Sequence, residues 1–85
     1  MPEISRFLGI SVRMFYDEHA PPHFHAVYGD YTAVVRIADG VVAGRFPPRA
    51  IRHLPEWYDL HRAELLEDWR LAEAGEPPEP IAPLE

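Results

Sequence analysis

Ile10, Val12, Met14 and Tyr16 alternate with Ser11, Arg13 and Phe15. A two-residue repeat puts the two sets on opposite sides of an extended chain, which predicts a half-buried strand over 10–16. Residues 4–9 lead into it, with Gly9 marking a bend or bulge at its start. Three further extended segments follow at 24–28, 31–37 and 41–46. Gly29-Asp30 and Asp39-Gly40 separate them, and both pairs suit two-residue hairpin loops whose twist matches the flanking strands.

Two-residue loops set a register. Tyr28 then faces Tyr31, Phe24 faces Val35, His25 faces Val34 and His23 faces Arg36. Across the next loop Ala38 meets Val41, Val34 meets Arg45 and Arg36 meets Ala43. One face collects Phe24, Ala26, Tyr28, Tyr31, Ala33, Val35, Ile37, Val42 and Phe46, a core set. The other collects His23, His25, Thr32, Val34, Arg36, Ala43 and Arg45, a mixed polar set, so the sheet is expected to be covered on one side only.

Beyond Pro47-Pro48 the period changes. Ile51, Leu54, Tyr58, His61, Leu65, Trp69 and Ala72 recur every three or four residues, the seam of a helix of about six turns. Pro48 suits a first helical position and Gly75 a C-terminal stop. Pro55 is expected to kink the helix or split off a first turn. The expected architecture is α+β: a four-stranded antiparallel meander covered on one face by a long C-terminal helix. It forms one domain over 1–75, followed by a Pro-rich extended tail over 76–85 with Ile81 and Leu84 as anchors.

Composition narrows the chemistry. The chain has 85 residues and no cysteine, which excludes disulfides, zinc–thiolate sites and a cysteine nucleophile. Any metal must use His, Asp or Glu. No apolar signal region or membrane-length segment is present, so a cytoplasmic location is expected. The net charge of −6 is confined to residues 51–85. In the first half, Glu3, Asp17, Glu18, Asp30 and Asp39 balance Arg6, Arg13, Arg36, Arg45 and Arg49. An acidic chain is a poor sequence-independent nucleic-acid binder, because such affinity comes from neutralising phosphates.

The stretch from Asp17 to His25 is what a generic small domain does not need. It holds His19, His23 and His25, the acids Asp17 and Glu18, and a rigid Pro21-Pro22 pair. On a strand His23 and His25 project to one face while Phe24 enters the core. Two imidazoles at that spacing, with His19 and Asp17 as further ligands, suit a divalent ion such as zinc, iron, manganese or nickel. The same residues permit metal-free chemistry. His23 beside Arg36, and His25 within reach of Arg45 and Arg13, form a set in which an imidazole moves a proton and arginine stabilises charge at phosphorus. His23, His25, Arg36 and Arg45 are therefore the candidate catalytic residues. The plain alternative is a set of surface histidines on an open sheet face. His61 and Glu64, one turn apart, read as a packed helix pair, and Trp57 and Trp69 as packing residues.

Met1 to Phe7 with Gly9-Ile10, then His19-Ala20-Pro21-Pro22-His23-Phe24-His25-Ala26, resemble the small bacterial domain-of-unknown-function 4160 family. Glu56-Trp57, His61, Glu64-Leu65-Leu66, Trp69 and Ile81 to Leu84 match its later part, while Pro55 departs from it, an apolar helix former being usual there. The family supplies no catalytic residues. It implies a context in which the gene sits beside a second small gene, in the manner of toxin–antitoxin pairs. Three functions are carried forward. The first is a toxin–antitoxin component whose His/Arg face acts on RNA or binds RNA or a small cognate partner. The second is a non-enzymatic interaction module with structural histidines, a homo-oligomer being compatible with either. The third is a His/carboxylate metal protein.

Overall fold

The computed structural model describes residues 3–84; Met1 and Pro2 of the family resemblance, and Glu85 of the tail, lie outside them. Five strands, β1 (Glu3–Phe7), β2 (Ile10–Arg13), β3 (His23–Tyr28), β4 (Tyr31–Arg36) and β5 (Val42–Gly44), form one antiparallel meander in chain order. A short α1 (Pro48–Ile51) and a long α2 (His53–Glu73) follow. The α+β class and the meander are as the sequence predicts.

The additional strand is β1. It pairs with β2 from Phe7 opposite Ile10 back to Glu3 opposite Arg13, with a register shift between Glu3 and Ser5. That irregularity turns both Ile4 and Ser5 inward, so the segment lacks the two-residue alternation by which a strand is read. Leu8 and Gly9 close the hairpin with positive φ angles of 50° and 82°, a pairing of conformations that suits a two-residue turn. Strand β2 ends at Arg13 rather than at Tyr16, and Tyr16 is exposed.

The β3–β4 register is the expected one at every position, from His23 opposite Arg36 to Tyr28 opposite Tyr31. The β4–β5 register is not. Val34 pairs with Ala43 and Ala33 with Gly44, two residues from the predicted Val34–Arg45 pairing. Ile37 causes the change. Its N–H donates to the Pro22 carbonyl (2.9 Å), extending the β3–β4 ladder, and its carbonyl accepts from the buried Tyr58 hydroxyl (2.5 Å). Ile37 therefore belongs to β3 and α2, and the chain turns back through a wider loop, with Gly40 N–H on the Arg36 carbonyl (2.7 Å) and Arg36 N–H on the Val41 carbonyl (2.9 Å). A slip of two residues keeps every side chain on its predicted face.

Helix α2 covers one face. Ile10, Val12, Met14, Phe24, Val35 and Ile37 from the sheet meet Leu54, Trp57, Tyr58 and Leu65 from the helix. The Trp57 ring stacks on Phe7 (5.3 Å between centroids) and meets Phe24 edge-on (5.8 Å). Burying each of these large side chains contributes roughly 1.5–3 kcal/mol, so this layer dominates stability. Of the two outcomes expected near Pro55, a kink or a split-off first turn, the second holds: α1 is a separate turn ahead of α2, and the bend within α2 is at His61, whose φ and ψ (−125°, 21°) are non-helical. Pro55 sits in the first turn, where its missing N–H has no intrahelical partner to lose. The helix stops at Gly75 (φ 78°), with Gly75 and Glu76 N–H groups on the Ala72 and Leu71 carbonyls. The tail then returns along the outer edge of β1: Ile81 N–H donates to the Ile4 carbonyl (2.7 Å) and the Trp57 indole to the Ala82 carbonyl (2.9 Å).

Candidate metal centre on the open sheet face

The β2–β3 connection, residues 14–22, brings the chemistry together. His23 and His25 lie two apart at the start of β3 and project to the face opposite Phe24, where Trp69 of α2 reaches His23. The connection folds back so that Glu18 meets both. Its Oε1 accepts from His25 Nε2 (2.5 Å) and lies 3.3 Å from His23 Nε2. One donor atom from each of Glu18, His23 and His25 lies within 4.8 Å of the other two. All three residues are half-buried. The imidazole rings are 5.3 Å apart, His25 receives the Phe15 ring edge-on (4.6 Å), and His23 packs on Trp69 of α2 (5.2 Å).

Protonation follows from the contacts. His23 Nδ1 lies 2.8 Å from the Pro21 carbonyl, which can only accept, so Nδ1 carries the hydrogen. Its Nε2 then faces the Glu18 carboxylate at 3.3 Å. Hydrogen bonding to His25, reinforced by His23, holds the Glu18 carboxyl below its ordinary range against the opposing effect of burial. The carboxylate is thus kept charged, and the imidazole anchored on Pro21 presents its other nitrogen. A metal-bound histidine is oriented in the same way, by a carbonyl or carboxylate on its second nitrogen.

The remaining predicted site residues are placed as follows. His19 and Asp17 are exposed and stand outside the three-residue cluster; the carboxylate in it is Glu18. Arg36 lies opposite His23 in register, but its guanidinium is clasped by Asp39 at 2.6 and 2.9 Å. Arg45 is displaced by the β4–β5 slip: its N–H bonds the Thr32 carbonyl (3.1 Å), about 7 Å further along the sheet from His25 than the predicted register put it. Arg13 pairs with His25 across β2–β3 and directs its Nε to Ser11 Oγ (3.0 Å). His61 and Glu64 form their own pair (2.6 Å) on α2. Glu18 is the site residue that periodicity does not reveal, since a loop carboxylate has no face until the loop is folded. Its signal is adjacency to the histidine stretch.

A family model described as a domain of unknown function (DUF4160) matches residues 9–70. The chain belongs to that family. No curated protein and no solved structure matches it. The DUF4160 span takes in Glu18, His23, His25 and Trp69, and leaves β1 and the tail outside. No helix among the described residues is long and apolar enough to cross a membrane.

Proposed function

We propose that this DUF4160 protein binds a divalent metal ion through Glu18, His23 and His25. The observation that carries the reading is the convergence of both imidazole Nε2 atoms on one carboxylate oxygen, with His23 Nδ1 already committed to Pro21. Two histidines and one carboxylate are a recurrent ligand set for zinc and non-haem iron, leaving positions open for water or substrate. An ion so held polarises a bound oxygen or lowers the pKa of a bound water, which is the chemistry of hydrolysis. Phe15 and Trp69 shield two sides of the cluster, strengthening electrostatic interactions there.

Untagged protein, dialysed against each of zinc, manganese and iron(II) and assayed by elemental analysis and calorimetry, is expected to bind one ion per chain. His25→Ala or Glu18→Gln should weaken that binding by more than about 100-fold, beyond the roughly 10–100-fold that the loss of an outer-shell partner costs. A sub-stoichiometric metal content that EDTA does not alter would sink the reading.

A second reading is a toxin–antitoxin component whose histidines cleave or bind RNA without metal. Arg13, opposite His25 in the ladder, supports it; the engagement of Arg36 by Asp39 weakens it. RNA cleavage by EDTA-treated, partner-free protein, abolished in His23→Ala and His25→Ala, is the result that favours this reading over the first.

A further inference from the structure

The sheet has two edges, and the chain covers one of them. Along β1 the tail is the outer neighbour, with the Ile81 N–H on the Ile4 carbonyl. β5 ends the meander on the other side, and among the described residues no strand lies beyond it. Val41, Ala43, Gly44 and Arg45 are exposed there. An open edge presents a row of backbone donors and acceptors, which natural sheets ordinarily guard with a lysine, a proline, an inward charge or a covering element. The run Gly40-Val41-Val42-Ala43-Gly44 holds no charge and no proline.

Register decides which groups this edge offers. Arg36 N–H bonds the Val41 carbonyl (2.9 Å), Val34 lies opposite Ala43, and Arg45 N–H bonds the Thr32 carbonyl (3.1 Å). Positions 41, 43 and 45 thus turn their backbone groups toward β4. Antiparallel ladders alternate, so Val42 and Gly44 turn theirs outward. A second copy of the edge, related by a two-fold axis at Ala43, meets that pattern donor for acceptor. Val42 of each copy then faces Gly44 of the other as a bonded pair. Neighbouring registers are poorer. An axis at Val42 sets Gly44 against Gly40, whose N–H is already on the Arg36 carbonyl (2.7 Å). An axis at Gly44 brings the two Arg45 residues to roughly 7 Å along the strands, against roughly 13 Å for the axis at Ala43.

The side chains agree with the register at Ala43. Arg45 forms no ion pair among the described residues. In the pairing it lies opposite Val41 of the second copy, and its aliphatic stem covers that exposed residue. The Val41 N–H is bonded by the Asp39 carboxylate (3.1 Å). The Asp39 side chain is 47% exposed, and a carboxylate retains accepting capacity beyond its clasp on Arg36. Each Arg45 guanidinium therefore comes beside a carboxylate of the other copy. We propose that the protein self-associates through β5, two copies joining their meanders into one continuous sheet across an isologous two-fold contact. The edge lies apart from the Glu18–His23–His25 cluster, so the inference does not depend on metal binding.

Sedimentation velocity tests it on EDTA-treated full-length protein, which removes any association through a shared metal. Between about 5 µM and about 1 mM the wild type should show a reversible monomer–dimer equilibrium, with a dissociation constant on the order of 10–100 µM as suits a short interface. The two-fold axis sets residue 43 against its own copy in a non-bonded pair, roughly 4.5 Å between Cα atoms. Like charges there repel, so Ala43→Glu and Ala43→Lys should each weaken self-association about ten-fold. Position 43 is exposed, and neither charge is buried in the monomer. Mixed in equal amounts, the two variants should recover a dimer at least as tight as the wild type's, a result that misfolding could not produce. The proposal is overturned if the wild type stays monomeric throughout, if either variant self-associates like the wild type, or if the mixture remains monomeric.

Discussion

At the residue scale, two buried polar groups set the sharpest expectations. Asp68 is 2% exposed, accepts the Glu79 N–H at Oδ1 (2.9 Å), and has no partner for Oδ2 among the described residues. Burial pushes its carboxyl up from 3.8 to about 6, with Glu79, Glu64 and Glu67 adding repulsion and the Glu79 N–H opposing. The folded chain therefore prefers the protonated form. Its contribution to stability is complete below about 3.8 and is lost as pH rises through about 6, a difference of about 3 kcal/mol at most. In Asp68→Asn, which keeps the acceptor, that loss is absent. Denaturant unfolding at a series of pH values should show the variant gaining on wild type between pH 4 and 7.5, and parallel curves would refute the assignment. Tyr58 provides the second case. Replacing it with Phe leaves the Ile37 carbonyl without its hydroxyl donor and should cost about 1–2 kcal/mol in the same measurement.

At the element scale, strands were legible where side chains alternate and opaque where backbone geometry intervened. From His23 to Arg36 the alternation of Phe24, Ala26, Ala33 and Val35 with polar neighbours, closed by Gly29-Asp30, specifies one register because one face must be buried. β1 was hidden because its register shift turns Ile4 and Ser5 inward together. The Asp39-Gly40 loop departs from its local turn preference because that preference competes with two distant bonds of Ile37, to Pro22 and Tyr58, and the distant bonds win. Gly40 shows how tight that junction is: a Cβ there would lie 2.9 Å from the Tyr58 ring, at a φ of 75°. Pro55 does mark the split of a first turn, α1, from α2, but the bend at His61 carries no sequence signal, since no Pro or Gly stands there.

For the whole molecule, the tail is part of the core rather than an appendage. Ile81 is 5% exposed and its N–H extends the β1 edge to a segment some seventy-seven positions away in sequence. Ile81→Ala should cost about 2–4 kcal/mol. It should also shift Trp57 emission to the red, as the indole loses its cover and its bond to the Ala82 carbonyl. An unchanged emission maximum and stability would show the tail to be dispensable.

The site divides along the same line. The residue pattern by itself determined that His23 and His25 share a face, that Phe24 does not, and that α2 covers the other side. These follow from the two- and 3.6-residue periods, which are local properties of the chain. Only the tertiary structure decided the rest: which carboxylate joins the histidines, that Arg36 belongs to Asp39, that Arg45 stands further along the sheet, and that Trp69 packs on His23. Those outcomes depend on where a loop folds back and on which distant carbonyl a backbone N–H finds. Such contacts join residues far apart in sequence, and no short window of it carries their energies.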